Sequence, residues 1–325
     1  MKRYCVVISL IVSIGLMMDG VQMGVGGFGS AEAAEIKEIK FFNGPPQGGW
    51  RPMAVIIQQN MQNGIPGLRV NIEPGGGASN VIAANEQPVL AMAMASSTYD
   101  GFLGNPPYKK KMDDVRQVLV LYPQYHAIMT LAGKGINSIA DFKGKRINVQ
   151  QRGYAAELIN QMILKEYNLT YKDIVPQFLG ENDAVDSLKD GHIDANMASA
   201  MSPYPQLLDV MSMREVKLLG ISREALQNLA KANKGLLPSR IVAGTYVSIK
   251  EDIPTINTPT TLVANKNVPE DFVYQVTKVL VNTFGERQNN FDFLKKMKPE
   301  EIASEVGIPF HPGALRYFKE RNWIR

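Results

Sequence analysis

The sequence contains almost no cysteine and little histidine. Its 325 residues include one cysteine, Cys5, and three histidines, His126, His192 and His311. The histidines are spread over different parts of the chain, without the paired spacing of a metal-binding motif. Because Cys5 lies in the N-terminal apolar stretch, the rest of the chain has no disulfide and no thiolate metal site. We therefore expect structural histidines, no metal and no cofactor.

Neither sign of charge dominates the chain. There are 35 lysines and arginines against 31 acidic residues, a formal net charge of +4. The basic run at 109–111 lies in a proline-containing loop between two predicted elements, which is typical of a solvated loop and not of a nucleic-acid surface. We expect no nucleic-acid partner. A mildly basic surface would weakly attract an anionic small molecule.

Long hydrophobic runs are confined to the N-terminus. Residues 4–18 are uncharged and follow two basic residues, and Asp19 ends the run before it reaches the about 20 residues of a membrane-spanning helix. Ala31 and Ala33 flank Glu32 in a small-x-small cleavage pattern. We interpret residues 1–33 as a secretory signal peptide, with an uncleaved anchor as the alternative.

The remaining chain is long enough for two domains of about 100 to 200 residues each. Strand and helix patterns alternate as βαβαβ twice, which predicts parallel sheets. We predict a discontinuous first lobe, 34–130 plus 255–325, and a second lobe, 131–254, in which 243–247 is a strand. The fold class is therefore α/β, with two lobes, each a mainly parallel sheet flanked by helices. The two crossings between the lobes form a hinge, and a ligand cleft lies between them.

Two glycine-rich loops, 43–52 and 73–80, each follow a predicted strand and precede a predicted helix. Glycine allows tight turns there, and the free N–H groups at a helix start can hold an anion. For the second loop, an ordinary turn capped by Ser79 or Asn80 is the alternative. The predicted ligand-binding residues of the first lobe are Gln47, Gly48, Gly49, Trp50, Arg51, Gly76, Gly77, Ala78, Ser79, Asn80, Ser96 and Ser97.

In the second lobe, the loops that follow the predicted strands should complete the cleft. Arg152, together with Arg51 from the first lobe, would clamp a carboxylate through bidentate hydrogen bonds. Aromatic rings in these loops would shield the ligand from water. The predicted residues of this lobe are Gln150, Arg152, Tyr154, Ser199, Tyr204 and Tyr246. We expect no catalytic residue, because Ser96 and Ser97 lack the glycine-flanked elbow of a reactive serine.

Six motifs occur in a fixed order at 44–49, 74–80, 139–147, 188–195, 243–246 and 311–320. In this order the chain resembles the TAXI family of extracytoplasmic solute receptors that serve TRAP transporters. The resemblance implies a type II-like periplasmic binding protein, which we expect to be a monomer. It would close over a small organic anion, a carboxylate or an amino-acid-like solute, and deliver it to TRAP membrane subunits. Residues 50–51, 153–156 and 247–248 depart from the family pattern, so only the ligand class is carried over.

Other functions remain open alternatives. A sensory module would present the same ligand-bound shape to a membrane kinase or chemoreceptor. An ABC-type receptor for an aromatic or pyrimidine-like ligand would share the fold, although the motif at 311–320 favours the TAXI interpretation. A secreted enzyme acting on a small anion is disfavoured because the sequence offers no catalytic constellation.

Overall fold

The computed structural model describes residues 36–44 and 49–324. The predicted signal peptide, with Cys5, and two predicted site residues, Gln47 and Gly48, lie outside the described residues. The strands are β1 (Glu38–Phe42), β2 (Arg69–Glu73), β3 (Leu90–Met94), β4 (Val115–Tyr122), β5 (Tyr125–Leu131), β6 (Arg146–Asn148), β7 (Val175–Gln177), β8 (Ala195–Ala200), β9 (Val216–Leu218), β10 (Leu237–Ile241), β11 (Ile253–Asn257) and β12 (Thr260–Asn265). The α-helices are α1 (Arg51–Gly64), α2 (Gly77–Glu86), α3 (Ala95–Leu103), α4 (Ala155–Glu166), α5 (Glu181–Lys189), α6 (Pro205–Met213), α7 (Arg223–Ala232), α8 (Glu270–Asn282), α9 (Phe284–Asn290) and α10 (Pro312–Glu320). Short 3-10 helices span Ile139–Phe142, Asp292–Leu294 and Pro299–Ala303.

The strands form two separate sheets. The first has the order β2-β1-β3-β12-β4, and the second has the order β10-β11-β5-β8-β6-β7, with β9 also paired to β5. In the first sheet β1 is parallel to β2 and β3, whereas β12 is antiparallel to β3 and β4. In the second, β6 is parallel to β7 and β8, and the other pairs are antiparallel. The prediction of two α/β lobes is confirmed, but both sheets are mixed and not mainly parallel.

The chain crosses between the sheets at two adjacent places, after β4 and after β11. The predicted boundaries at 130/131 and 254/255 fall inside β5 and β11. In the structure both of these strands belong entirely to the second sheet. Gln124 joins the crossings: its backbone N–H donates to Asn257 Oδ1 over 3.0 Å, and its side-chain amide donates to Thr260 Oγ1 over 2.9 Å. The two crossings are therefore held side by side, as a hinge requires.

The predicted strand at 243–247 is a turn in the structure. Gly244 has a φ of +78°, which breaks an extended backbone, and the Ala243 N–H donates to Asp252 Oδ1 over 2.9 Å. The strand of this region lies a few residues earlier, as β10, which pairs with β11. Tyr246, which lies in this turn, is buried by tertiary packing.

Each lobe has its own apolar core. Helices α1, α8 and α10 pack together on the first sheet, where Phe41, Ile57 and Phe318 are fully buried. The core of the second lobe includes Phe142 and Ile163, which are also fully buried. Burying one such side chain stabilises a fold by about 1.5 to 3 kcal/mol, so each lobe has a rigid support for its loops. No helix among the described residues is both long and apolar enough to cross a membrane.

Candidate functional site

A cavity of about 440 Å³ lies between the two lobes. It is bounded by the loops that follow β1, β2 and β3 in the first lobe and β6, β7 and β8 in the second. The carboxyl ends of parallel strands are where such sites form in α/β sheets. The predicted residues that line it are Gly49, Trp50, Gly76, Gly77, Ser97, Gln150, Tyr154 and Ser199.

Helix starts from both lobes converge on this cavity. The N-cap residues of α1, α2, α3, α4 and α5 all line it, and none of them makes a side-chain capping bond. These N-cap residues are Trp50, Gly76, Met94, Tyr154 and Gly180. In α3 the first two N–H groups already donate to the Pro259 carbonyl and the Thr258 hydroxyl. The starts of α1, α2, α4 and α5 present free N–H groups and the positive end of the helix dipole. The cavity is therefore suited to a ligand that accepts hydrogen bonds.

The loop at 75–80 brings backbone to the cavity and buries its polar side chain behind it. Gly76 and Gly77 have φ angles of +133° and +53°, which favour glycine. Asn80 is fully buried: its Oδ1 accepts from Gly76 N–H over 2.7 Å, and its Nδ2 donates to the carbonyls of Asn43 and Met92, each over 2.8 Å. Asn80 therefore holds the first-lobe loops together without reaching the cavity.

Ser79 and Ala78, which were predicted to contact ligand, are not part of the cavity wall. The Ser79 hydroxyl is exposed and donates to the Gly76 carbonyl over 2.6 Å, so it serves the turn. Neither Ser79 nor Asn80 is the N-cap of α2, since that position is Gly76.

The two serines after β3 have different surroundings. Ser97 lines the cavity, and its hydroxyl is 2.6 Å from the Tyr108 hydroxyl. Ser96 is buried at the hinge, where its hydroxyl accepts from Thr258 over 3.0 Å and its carbonyl accepts from Asn233 Nδ2 over 3.0 Å. Asn233 ends α7 of the second lobe. Ser96 therefore joins the lobes and is not in the cavity wall.

Tyr204 and Tyr246, predicted to shield the ligand, are both buried and lie outside the cavity wall. The Tyr204 backbone N–H donates to the Tyr246 hydroxyl over 2.8 Å. The Tyr204 hydroxyl has no hydrogen-bond partner of normal length among the described residues, although it lies beside the Glu181 carboxylate. Burial and this carboxylate raise the pKa of Tyr204, so the phenol stays protonated.

The predicted arginine clamp is not formed in the structure. The Arg152 guanidinium lies 3.7 Å from the centre of the Phe178 ring, a cation–π contact that takes it away from the cavity wall. Arg51 is the half-buried first residue of α1. Successive residues of a helix point in directions about 100° apart, so Arg51 does not line the cavity although its neighbour Trp50 does.

The loop after β7 contributes the residues that the sequence interpretation missed. Its members in the cavity wall are Gly180, Glu181, Asn182 and Asp183; other unpredicted wall residues are Gly44, Met94, Gln124, Gln151, Ala155, Ala156, Ala200 and Met201. Among the described wall residues none is lysine or arginine, so the charges that face the cavity are those of Glu181 and Asp183. Burial raises the pKa of Glu181, with a smaller opposing effect from Tyr204.

The histidines are remote from this chemistry. His126 is buried in β5, and burial lowers its pKa to about 3. His311 accepts from the Gly313 N–H at the start of α10, and burial lowers its pKa to about 4. Among the described residues, no group of three or more histidine, cysteine or acidic side chains is placed to hold a metal.

Comparison with known proteins places the fold. Residues 46–321 match the NMT1-like family. The chain belongs to the NMT1-like family. Solved structures similar to this NMT1-like chain include the periplasmic binding protein BugD, with 14% identity over 88% of this chain and 95% of that one and a TM-score of 0.53. A TctC solute binding protein from Polaromonas has 17% identity over 88% of this chain and 95% of its own, with a TM-score of 0.52. A periplasmic transporter has 16% identity over 88% of this chain and 94% of its own, with a TM-score of 0.52. At these identities the likeness shows the fold alone, that of two-lobe periplasmic binding proteins.

Proposed function

We propose that this NMT1-like chain is a periplasmic solute-binding protein that captures a small organic solute bearing an acidic group. The observation that carries the proposal is the convergence of uncapped helix starts from both lobes on one cavity of about 440 Å³. Backbone N–H groups at helix starts can hold a carboxylate without a cationic side chain. The ligand is therefore a carboxylate or an amino-acid-like solute.

The receptor hands this solute to the membrane subunits of a TRAP transporter. Support for this partner is the resemblance of the motifs at 139–147 and 311–320 to TAXI receptors. The predicted signal peptide, 1–33, supports a periplasmic location. We expect the receptor to act as a monomer without enzymatic activity.

The binding proposal is tested by a thermal-shift screen of organic acids and amino acids, followed by calorimetry with the best solute. A ligand at 100 times its dissociation constant stabilises the folded state by about 2.7 kcal/mol. Ala156→Leu would fill the cavity, since Ala156 lies in its wall, whereas Ala243→Leu alters an exposed turn. We expect the first variant alone to lose binding. Equal binding by both variants would place the solute elsewhere.

The transport partner is tested separately by uptake in cells that carry the receptor together with candidate TRAP membrane subunits. Uptake should need both components, stop when an ionophore collapses the ion gradient, and survive depletion of ATP. Uptake that depends on ATP would instead support an ABC-type system.

A second candidate is suggested by the aromatic rings at the cavity. Trp50 from the first lobe and Tyr154 from the second both line it, an arrangement that suits a planar aromatic ligand. This favours an ABC-type receptor for an aromatic or pyrimidine-like solute as the alternative. Including pyrimidines and aromatic acids in the same screen distinguishes the two candidates.

A further inference from the structure

The charge of the cavity wall is opposite to that of a simple anion receptor. Glu181 and Asp183 both face the cavity, and no lysine or arginine does so among the wall residues that the structure describes. A ligand carrying several carboxylates and no cation would meet only repulsion from these two side chains. The wall therefore contains a feature that the proposed capture of an acidic group does not explain.

Glu181 is placed at the junction of the two lobes. It is the first residue of α5 in the second lobe, and a Cβ atom on Gly49 of the first lobe would lie 3.9 Å from its Oε2. Within the described part of the chain, its carboxylate forms no salt bridge. Tyr204 beside it is only 1% exposed, and in the same part of the chain its hydroxyl has no hydrogen-bond partner of normal length.

An unpaired carboxylate in a closing cleft is costly, because closure removes its water without supplying a counter-charge. Burial raises the pKa of Glu181, because its ionised form loses water contacts there. A cation brought by the ligand would reverse this effect, since a pair of opposite charges keeps the carboxylate ionised.

We infer that the solute carries a protonated nitrogen that pairs with the Glu181 carboxylate. The inference rests on the proposed function and narrows it. The same cavity offers N–H groups at helix starts for an acidic group, so the solute is zwitterionic, with its acidic group on the helix starts and its nitrogen on Glu181. A plain mono- or dicarboxylate of the same size is then a poor ligand.

The experiment compares pairs of solutes that differ only in the amino group. Glutamate is paired with glutarate, and phenylalanine with 3-phenylpropionate, each titrated into the purified full chain by calorimetry. The member with the amino group should bind about tenfold tighter or more, the range expected for one hydrogen bond to a charged group. This comparison needs only the wild-type chain.

Glu181→Gln should abolish that preference, because the amide keeps the size and shape of the side chain but not its charge. Asp186→Asn is the matched control: it removes a carboxylate from the same helix that is exposed, paired with Lys189 and outside the cavity wall. It should keep the preference. Circular dichroism and urea unfolding confirm that both variants are folded.

The outcomes separate the inference from the proposed function. If acids without an amino group bind as tightly as their partners, the inference is overturned and the receptor function stands. If Glu181→Gln keeps the wild-type preference, the nitrogen lies elsewhere and the assignment to Glu181 fails. If no acid, amino acid or amine binds, both the inference and the proposed function fail.

Discussion

Replacing Gly77 with alanine should prevent full closure of the lobes. A Cβ atom at Gly77, in the first lobe, would lie 2.6 Å from the Gly153 carbonyl oxygen and 3.5 Å from the Tyr154 Cα of the second lobe. Ordinary contact begins at 3.4 Å, so the loops would have to separate by about 0.8 Å, and the obstacle is backbone that cannot rotate away. The cavity mouth would then stay partly open.

The expected size of the effect follows from overpacking. Inserting one methyl group into a tight contact costs about 1 to 3 kcal/mol. When only the bound, closed state carries this cost, solute affinity falls about 5- to 150-fold. Gly77 also has a φ of +53°, so alanine there strains the backbone by a further about 1 to 2 kcal/mol in both states, which lowers stability but not affinity.

Gly133→Ala is the matched control. Gly133 has a φ of +79°, and a methyl group there would meet no atom within 4 Å, so this variant carries the same backbone strain without the steric contact. Calorimetry with the best solute should show weaker binding for Gly77→Ala alone, and small-angle scattering with solute should show a more open shape. Equal affinity and equal compaction in the two variants would refute the steric argument.

Three further predictions concern stability and the cleft loops. Burial lowers the pKa of His126 to about 3, so the folded protein keeps it neutral while the unfolded chain binds a proton below about pH 6.5. The contribution of neutral His126 to the free energy of unfolding is present above about pH 6.5 and is lost as the pH falls towards 3. Because of this residue, urea unfolding should give a free energy of unfolding about 2 kcal/mol lower at pH 5 than at pH 7. The His126→Gln variant should not show this loss. Asn80→Ala should lower the free energy of unfolding measured in urea by about 3 kcal/mol, because the three hydrogen bonds of this buried side chain disappear. Arg152→Ala should change the solute affinity measured by calorimetry less than about threefold, since the Arg152 guanidinium stacks on Phe178. A tenfold loss of affinity would instead support the predicted arginine clamp.

The order of strands and helices could be predicted from periodicity, but the pairing of strands could not. The alternating βαβαβ patterns predicted an α/β chain, and strands and helices do alternate from β1 to α3 and from β6 to β9. The antiparallel insertion of β12 between β3 and β4 depends on contacts between segments more than 100 residues apart, as in the pair Thr261 and Ala93. The secondary-structure propensity of a segment does not indicate which distant strand it pairs with. The two mixed sheets were therefore predicted as mainly parallel.

The backbone part of the candidate site was more predictable than its side chains. The rule that cleft loops follow parallel strands located Gly76, Gly77 and Gln150 correctly in the cavity wall. The same rule, applied to β7, also points to Glu181 at the start of α5, but no residue of this loop was among the predicted ligand-binding residues.

Arginine and glutamate differ here because of what lies around each side chain. Position along the chain fixes where a Cα lies, but a long side chain follows its best local partner. For Arg152 that partner is the Phe178 ring at 3.7 Å, which arrives from the next loop and has no signature near Arg152 in the sequence. Glu181 is shorter, starts at a helix end that faces the cavity, and has no cation within reach among the described residues. Glu181 is thus a charged side chain of the wall that forms no salt bridge with the described residues, and for this reason we propose a carboxylate as the recognising charge of the cleft, where the sequence had suggested a guanidinium.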